Sequence, residues 1–275
     1  MFNKLRSLES AVASIPDGAV VALSGNTLHR APCAAVHEMV RQNKRDLEVV
    51  KTAGSYDVDI LAGAGCLRSV AAGFVGFENV FGLAPRYRKA VEEGQVQVKE
   101  HACYTVIAGL RAAIQGLPFM PVAGMFGSDL LAAQDFRTVR DPYSGADVVA
   151  VQQIRPDVAL IHVQEADTEG NGRIVGTRFE DVLMVEAAKR VILTCERLVK
   201  AEELEWEPER TAIPGFLVES VVVAPRGAWP TSCAGEYDYD YDYLKAYVEA
   251  AGDDGAYQRF LDAHVRAVVP LAGAV

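Results

Sequence analysis

The chain has 275 residues, half of them hydrophobic, so it can bury a substantial core and is not of a disordered composition. Its 27 Lys and Arg against 37 Asp and Glu give a formal charge of −10. That excludes a general binder of nucleic acid or membrane surfaces, because attraction to phosphate needs positive charge, and leaves any phosphate-bearing ligand to local N–H groups and a few cations.

The N-terminal MFNKLRSLES carries no apolar signal region, and no stretch is apolar for long enough to span a bilayer. Cys33, Cys66, Cys103, Cys195 and Cys233 are odd in number and lack a C-x-x-C spacing. This argues against a disulfide scaffold or a zinc site and for a reducing compartment, so a cytoplasmic location is expected. Leu5, Leu8, Val12 and Ile15 share one helical face, stopped by the turn Pro16-Asp17-Gly18. Ala19–Leu23 is a short apolar run suited to a buried strand. Ser24, Gly25 and Asn26 break it, and Pro32 sits where a helix begins, with Val36, Met39 and Val40 as its apolar stripe. In an open parallel sheet such a strand–loop–helix unit lies where ligands bind. Arg30 adds a planar fork suited to a carboxylate or phosphate, although a tight turn with Arg30 on the surface fits the same residues.

Leu47–Thr52 is a second strand, Asp57–Leu61 a helix, and Leu67–Ala72 a third strand ending at Gly73. Pro85 opens a helix that Gly94 closes in the left-handed position. Val96–Lys99 alternates as a half-buried strand and delivers Glu100 and His101 to its end; Thr105–Gln115 is an amphipathic helix. This alternation predicts an α/β fold, an open and mainly parallel sheet with helices on both faces.

The rest is less regular. Leu117–Pro121 is too proline-rich for a central strand, and Gly124–Asp129 reads as a flexible loop. Asp147–Gln152, Val158–His162, Val191–Thr194 and Val218–Val223 are strands, Asp167–Gly172 is a turn, and Val182–Ala188 is a helix. In the YDYDYDY stretch, Asp242 is taken as the cap of a helix through Leu244, Tyr247 and Val248, and Ala256–Val268 is the last amphipathic helix. No repeat or linker divides the chain, so residues 1–275 are expected to be one domain with an elaborated C-terminal third.

Glu100 could serve as an acid–base group or be a solvated loop edge. Glu78, in the glycine-rich GFVGFEN loop, could be buried with a raised pKa or could cap the next turn. Gly127 and Ser128, followed by Asp129, offer backbone for an oxyanion or phosphate, with a plain loop equally compatible. His29, His37, His162 and His264 show no metal-ligand spacing, and no metal is expected. There is no nucleophile elbow, Walker loop or dinucleotide fingerprint.

Six stretches in order, SGNTLHRAPCAAV, RYRKAVEEGQVQVKE, GLPFMPVAGMFGSDL, VVAVQQIRPDVALIHVQEADTEGNGRIVG, PGFLVESVVVAPRGAWPTSC and YDYDYDYLKAY, resemble the α subunits of family I CoA-transferases, the glutaconate enzymes among them. The resemblance implies an open α/β fold, coenzyme A as substrate with no permanently bound cofactor, and acyl-CoA and carboxylic acid as reactants. It also implies a β-type partner, in a heterodimer or α2β2 heterotetramer, that carries the nucleophilic glutamate. By position it assigns Ser24, Gly25, Asn26 and Arg30 to the substrate side. Where the glutaconate group has a serine-containing loop, this chain has Gly73–Glu78, closer to relatives from steroid and aromatic degradation. Some of those are ring-opening acyl-CoA hydrolases, and in them a glutamate at the Glu100 position is implicated, which makes Glu100 the catalytic candidate. The expected function is thus the α subunit of an acyl-CoA:carboxylate CoA-transferase. A ring-opening hydrolase subunit is the alternative, and a non-catalytic ligand-sensing module ranks third.

Overall fold

The computed structural model describes residues 3–134 and 136–267. Its strands are β1 (Val20–Leu23), β2 (Leu47–Gly54), β3 (Leu67–Val75), β4 (Gln97–Glu100), β5 (Phe119–Val122), β6 (Arg137–Arg140), β7 (Asp147–Gln152), β8 (Val158–Ala166), β9 (Gly172–Arg173), β10 (Arg190–Leu198), β11 (Thr211–Ile213) and β12 (Ser220–Val223). The main sheet runs parallel in the order β12–β10–β8–β1–β2–β3–β4, with β9 antiparallel to the end of β8 and β11 antiparallel to β9.

β1, β2 and β8 are buried along almost their whole length, on both faces, as a covered parallel sheet requires. Val21, Leu23, Val49, Val70 and Leu160 face one core, packed with the helices Cys33–Arg41, Tyr56–Gly63, Tyr241–Ala251 and Asp254–Leu261. Their neighbours Ala22, Val50, Ala71, Ala159 and Ile161 face the other, packed with Cys103–Ile114 and Asp181–Ala187. The period-two alternation of a strand thus builds both layers, and the expected architecture is found. Among the described residues no helix is long and apolar enough to cross a membrane.

Several expected boundaries move. The third strand passes through Gly73 to Val75, and the reason is a close approach: a Cβ on Gly73 would lie 2.4 Å from the Cys103 backbone nitrogen. The glycine lets β3 lie against the segment after β4 rather than ending it. Pro121 does sit in a strand, but in β5, an edge of the small antiparallel sheet β5–β7–β6, where a missing N–H is tolerated. That sheet also holds Asp147–Gln152 and packs Val122, Val149 and Val151 on Ala108 of the Cys103–Ile114 helix. The Tyr241–Ala251 helix is capped by Asp240, not Asp242: Asp240 accepts from the Tyr243 N–H at 3.0 Å and from Trp229 Nε1 at 3.0 Å. The last helix, Asp254–Leu261, runs into a wider π-helical turn at Asp262–Arg266; Val268, expected in it, lies outside the described residues.

The strand order reverses between β1 and β8. From β1 the chain steps through β2, β3 and β4 on one side, while β8, β10 and β12 continue on the other. A ligand crevice in an open α/β sheet lies outside the carboxyl ends of the strands at such a reversal. The segment leaving β1 there is 24–30.

Candidate functional site

Segment 24–30 is held in a conformation that ordinary residues resist. Gly25, Thr27 and Arg30 all have positive φ, at 74°, 45° and 53°. For the β-branched Thr27 this is unusual, and such backbone persists only where its surroundings over-determine it. A Cβ on Gly25 would lie 2.2 Å from the His29 carbonyl oxygen, so only glycine fits.

Two buried ion pairs supply the constraint. Arg30 is 3% exposed; Nη1 donates to the His162 carbonyl at 2.7 Å, and Nη2 to the Thr177 carbonyl at 3.0 Å and to the Asp181 carboxylate. The second oxygen of Asp181 accepts the Gly25 N–H at 2.8 Å. Lys51, fully buried on β2, pairs with the buried Asp57 and donates to the Ser24 carbonyl at 2.9 Å. Ser24 Oγ accepts the His162 N–H at 2.9 Å and donates to the Arg30 carbonyl at 3.3 Å. The outward fork expected of Arg30 is therefore corrected. Its backbone turns left-handed, and the fork finds three acceptors inside the protein. Ser24 and the Gly25 N–H are engaged in the same brace, while Asn26 remains partly exposed.

Asn26 is tied to a further acidic group. Its Nδ2 donates to Thr52 Oγ1 at 3.1 Å, and both the hydroxyl and the N–H of Thr52 (3.2 Å) donate to Oε1 of Glu180. Glu180 is 5% exposed, and burial, seconded by the Asp181 charge, pushes its carboxyl pKa up. Cys103 Sγ meets the Thr52 carbonyl at 3.5 Å, and burial with the Glu180 charge raises its thiol too.

Glu78 and Glu100 stand differently. Glu78 is exposed, not buried, and accepts the Thr27 hydroxyl at 2.8 Å, so the structure joins this loop to segment 24–30. Glu100 is exposed at the carboxyl end of β4, paired in register with Ala72, and among the described residues its carboxylate has no hydrogen bond or ion pair. Beside it His101 Nδ1 lies 2.9 Å from Thr105 Oγ1, and burial lowers its pKa to about 4. Apolar groups lie along the same edge: Phe74 folds its ring over Gly76, which bridges to Leu83, and Tyr104 adjoins Cys103 where Gly73 approaches it. Phe74, Leu83 and Tyr104 are 40%, 60% and 56% exposed.

Gly127 and Ser128 are not brought to this group. They lie beside the small sheet, where Ser128 Oγ accepts the Leu130 N–H at 3.2 Å; the sheet's link to the site is the Phe136 ring against His101 at 5.6 Å.

Sequence spacing missed Lys51, Thr52, Asp57, Glu180 and Asp181. It also missed His162, Glu196 and Cys233, whose ligand-type atoms lie within 4.8 Å of one another, because β8, β10 and a distant loop deliver them separately. These groups have protein partners already. His162 Nδ1 meets Thr194 Oγ1 at 2.8 Å and Nε2 meets Glu196 Oε1 at 2.9 Å, while Glu196 also accepts from Tyr237 and the Arg226 N–H. Burial pushes the Cys233 thiol up to about 12, which keeps it protonated. All five cysteines are free thiols.

Comparison with known proteins places the chain in a family. The chain is 36% identical over 263 residues to the α subunit of glutaconate CoA-transferase from Acidaminococcus fermentans, covering 89% of this chain and 82% of that one. The crystal structure of that enzyme superposes with a TM-score of 0.92 over 96% of this chain and 89% of its own. The decarboxylase AibA/AibB superposes at 0.87 with 38% identity, over 96% and 98% of the two chains. The cholesterol ring-cleaving hydrolase IpdA subunit of Mycobacterium tuberculosis is 31% identical over 275 residues, or 96% of this chain and 94% of that one. The profile of the family described as Coenzyme A transferase matches residues 5–224, and with it the chain belongs to the Coenzyme A transferase family.

Proposed function

We propose that the chain is the α subunit of a two-component acyl-CoA:carboxylate CoA-transferase whose nucleophilic glutamate lies on a β-type partner. One observation carries the reading. The carboxyl edge of the sheet has a floor fixed by buried charge, but its rim is open, with Glu78 and Glu100 exposed beside the exposed Phe74, Leu83 and Tyr104. Apolar groups gathered on one edge suit coverage by another chain.

The chemistry divides accordingly. The partner's carboxylate attacks the acyl-CoA thioester carbonyl, the C–S bond breaks, and an acyl anhydride and CoA thiolate form. The thiolate attacks the glutamyl carbonyl of the anhydride, releasing the free acid and leaving a glutamyl-CoA thioester that an incoming carboxylate reopens. Coenzyme A enters as part of the substrate, and no permanently bound cofactor takes part. Each tetrahedral oxyanion needs a donor aimed in advance, and segment 24–30 with Asn26 is our choice for this chain's contribution. Ser24, Gly25 and Arg30 act there by shaping the segment. Glu78 and Glu100 face the reactants, and Gly127 and Ser128, in the loop after β5, take no part in this group.

A second reading, the α subunit of a ring-opening hydrolase, is favoured by Glu100, a carboxylate at a strand end without a partner among the described residues. Co-purification with the β-type chain, followed by assay against acyl-CoA donors, separates the readings. Transfer to acetate or succinate with a CoA adduct on the partner supports the transferase. Consumption of a cyclic-ketone CoA thioester with water and no adduct supports the hydrolase, and carbon dioxide release contradicts both.

A further inference from the structure

We propose that Glu180, Thr52 and Asn26 form a hydrogen-bond relay that orients the Asn26 carboxamide, with Glu180 as its positioning residue; the inference rests on the assignment of segment 24–30 to the acyl-CoA. The Thr52 hydroxyl has one proton, and it goes to Glu180 Oε1. Its lone pairs are then left to accept, and Asn26 Nδ2 donates to them at 3.1 Å. One hydrogen of the carboxamide nitrogen is thereby held inward, and among the described residues the second has no acceptor, which leaves it for a ligand. Among the described residues, neither Asn26 Oδ1 nor Glu180 Oε2 has a hydrogen-bond partner. The backbone of Asn26 is independently fixed by reciprocal N–H to carbonyl bonds with His29, both 2.9 Å. The relay therefore sets the one freedom that remains, the direction of the side chain.

A buried carboxylate is costly, and a protein interior retains one where it is paired or does work. Here it makes the relay sensitive to one proton. Ionised Glu180 takes the threonine proton. Once protonated, it frees the hydroxyl to rotate and donate to Asn26 Oδ1, which reverses the carboxamide. The charged and titratable groups facing Glu180 are Asp181 beside it, Lys51 on β2 and Cys103 on the helix across from it. Asp181 is held by Arg30 and Lys51 by Asp57. Burial and Asp181 raise the Glu180 carboxyl against the opposing pull of Thr52 and Lys51, so the switch lies above the ordinary glutamate range.

Two measurements test this on the full chain and its complex. The first follows the Asn26 side-chain amide by 15N NMR in the full chain, with N26D identifying the signals. In the wild type the amide pair should shift with pH, at a midpoint above the ordinary glutamate value. E180Q and T52V should abolish the titration, and T52S, which keeps the hydroxyl, should restore it. The second records kcat/KM against pH for the assembled enzyme. E180Q and T52V should lose about tenfold on the plateau, as for one mis-set hydrogen bond, and E180Q should also lose the acidic limb that T52S keeps. An amide titration unchanged in E180Q, or unaltered amide signals in T52V, would overturn the relay while leaving the proposed function standing. If E180Q does not fold, the T52V and T52S pair decides by the same signals. An assembled protein without acyl-CoA chemistry would sink the proposed function, and the amide titration would still decide the relay.

Discussion

Two sets of acidic residues share the carboxyl edge of the sheet, and they stand in opposite environments. Asp57, Glu180 and Asp181 are buried, and each is engaged by a neighbour that shapes segment 24–30. Glu78 and Glu100 are exposed, and among the described residues, apart from the Thr27 hydroxyl on Glu78, their oxygens are free for something outside the chain. The lower set costs desolvation and returns geometry; the upper set costs almost nothing and makes almost no structure. A charge removed from the two ion pairs of the first set should damage the fold, and a carboxylate removed from the second should damage only the reaction.

The largest expected effect comes from breaking the lower set. Lys51→Met leaves Asp57 charged, unpaired and fully buried, which costs about 3–5 kcal/mol. For a chain of this size each kcal/mol is worth roughly 2–4 °C in Tm, so a calorimetric scan should show a fall well beyond 5 °C. A Tm within 1 °C of wild type would show that the pair braces nothing. Arg30→Lys keeps the charge but loses the fork that reaches two carbonyls and Asp181 at once; it should destabilise the chain and lower activity together, rather than raise KM alone.

The upper set should behave in the reverse way. Glu100→Gln removes the charge without changing size. As the loss of a proton-handling group it should lower kcat of the assembled enzyme by about 10²–10⁴-fold, with stability within about 0.5 kcal/mol of wild type, as for other surface changes. A wild-type rate would remove Glu100 from the site, and a large fall in Tm would move it into the lower set.

Acid sensitivity sharpens the contrast, because further titratable groups withdrawn from water lie beside the site and elsewhere in the molecule. His37, buried against Tyr56 at 2.7 Å, has its pKa lowered by burial to about 3, and His101 is lowered to about 4. Asp59, which accepts from Tyr247 and the Tyr87 N–H at 2.7 Å, is raised by burial to about 6. The unfolded histidines take up protons below about pH 6.5 while the folded ones do not, so each loses stability as pH falls through that window. The folded Asp59 takes up a proton first, so its contribution grows as pH falls from about 6 towards 4. Each proton is worth about 1.4 kcal/mol per pH unit. Of these three groups two lose stability and one gains it, a net loss from them towards pH 4. His37→Gln should flatten that loss in urea titrations, and Asp59→Asn should steepen it; the opposite pair of slopes would contradict the burial assigned to these groups. The smallest effect is at the Tyr241–Ala251 helix, where Asp240→Ala should cost about 1 kcal/mol as a lost cap and Asp242→Ala should cost less.

Much of this fold was legible because strand and helix periodicities are local. The strands β1 to β4, the helices between them and the parallel sheet all follow from short apolar patterns. What escaped was long-range. Arg30 and Asp181 are 151 positions apart, so an arginine after a glycine turn read as an outward fork when its acceptors lay across the sheet. Lys51 sat inside an apolar strand, but nothing local marks a lysine whose partner is Asp57 on the following helix. Gly73 read as a strand end because its role, the approach of Cys103, depends on the next crossover. In the YDYDYDY stretch the aspartates are locally equivalent, and the Trp229 indole selects Asp240. Of the site, segment 24–30, Glu78 and Glu100 could be named because motif position pointed to them. Thr52 and Glu180 could not, since a threonine in a strand and a glutamate before a helix carry no local signal of each other.

The division between a braced floor and an open rim is tested most directly by reconstitution. The purified chain and its β-type partner are assayed separately and mixed against acyl-CoA donors with a carboxylate acceptor, and both chains are then weighed intact. The expected result is no turnover by either chain alone, turnover on mixing, and the added mass of CoA on the partner only. Robust turnover by this chain alone, or a CoA adduct on Glu100, would contradict it.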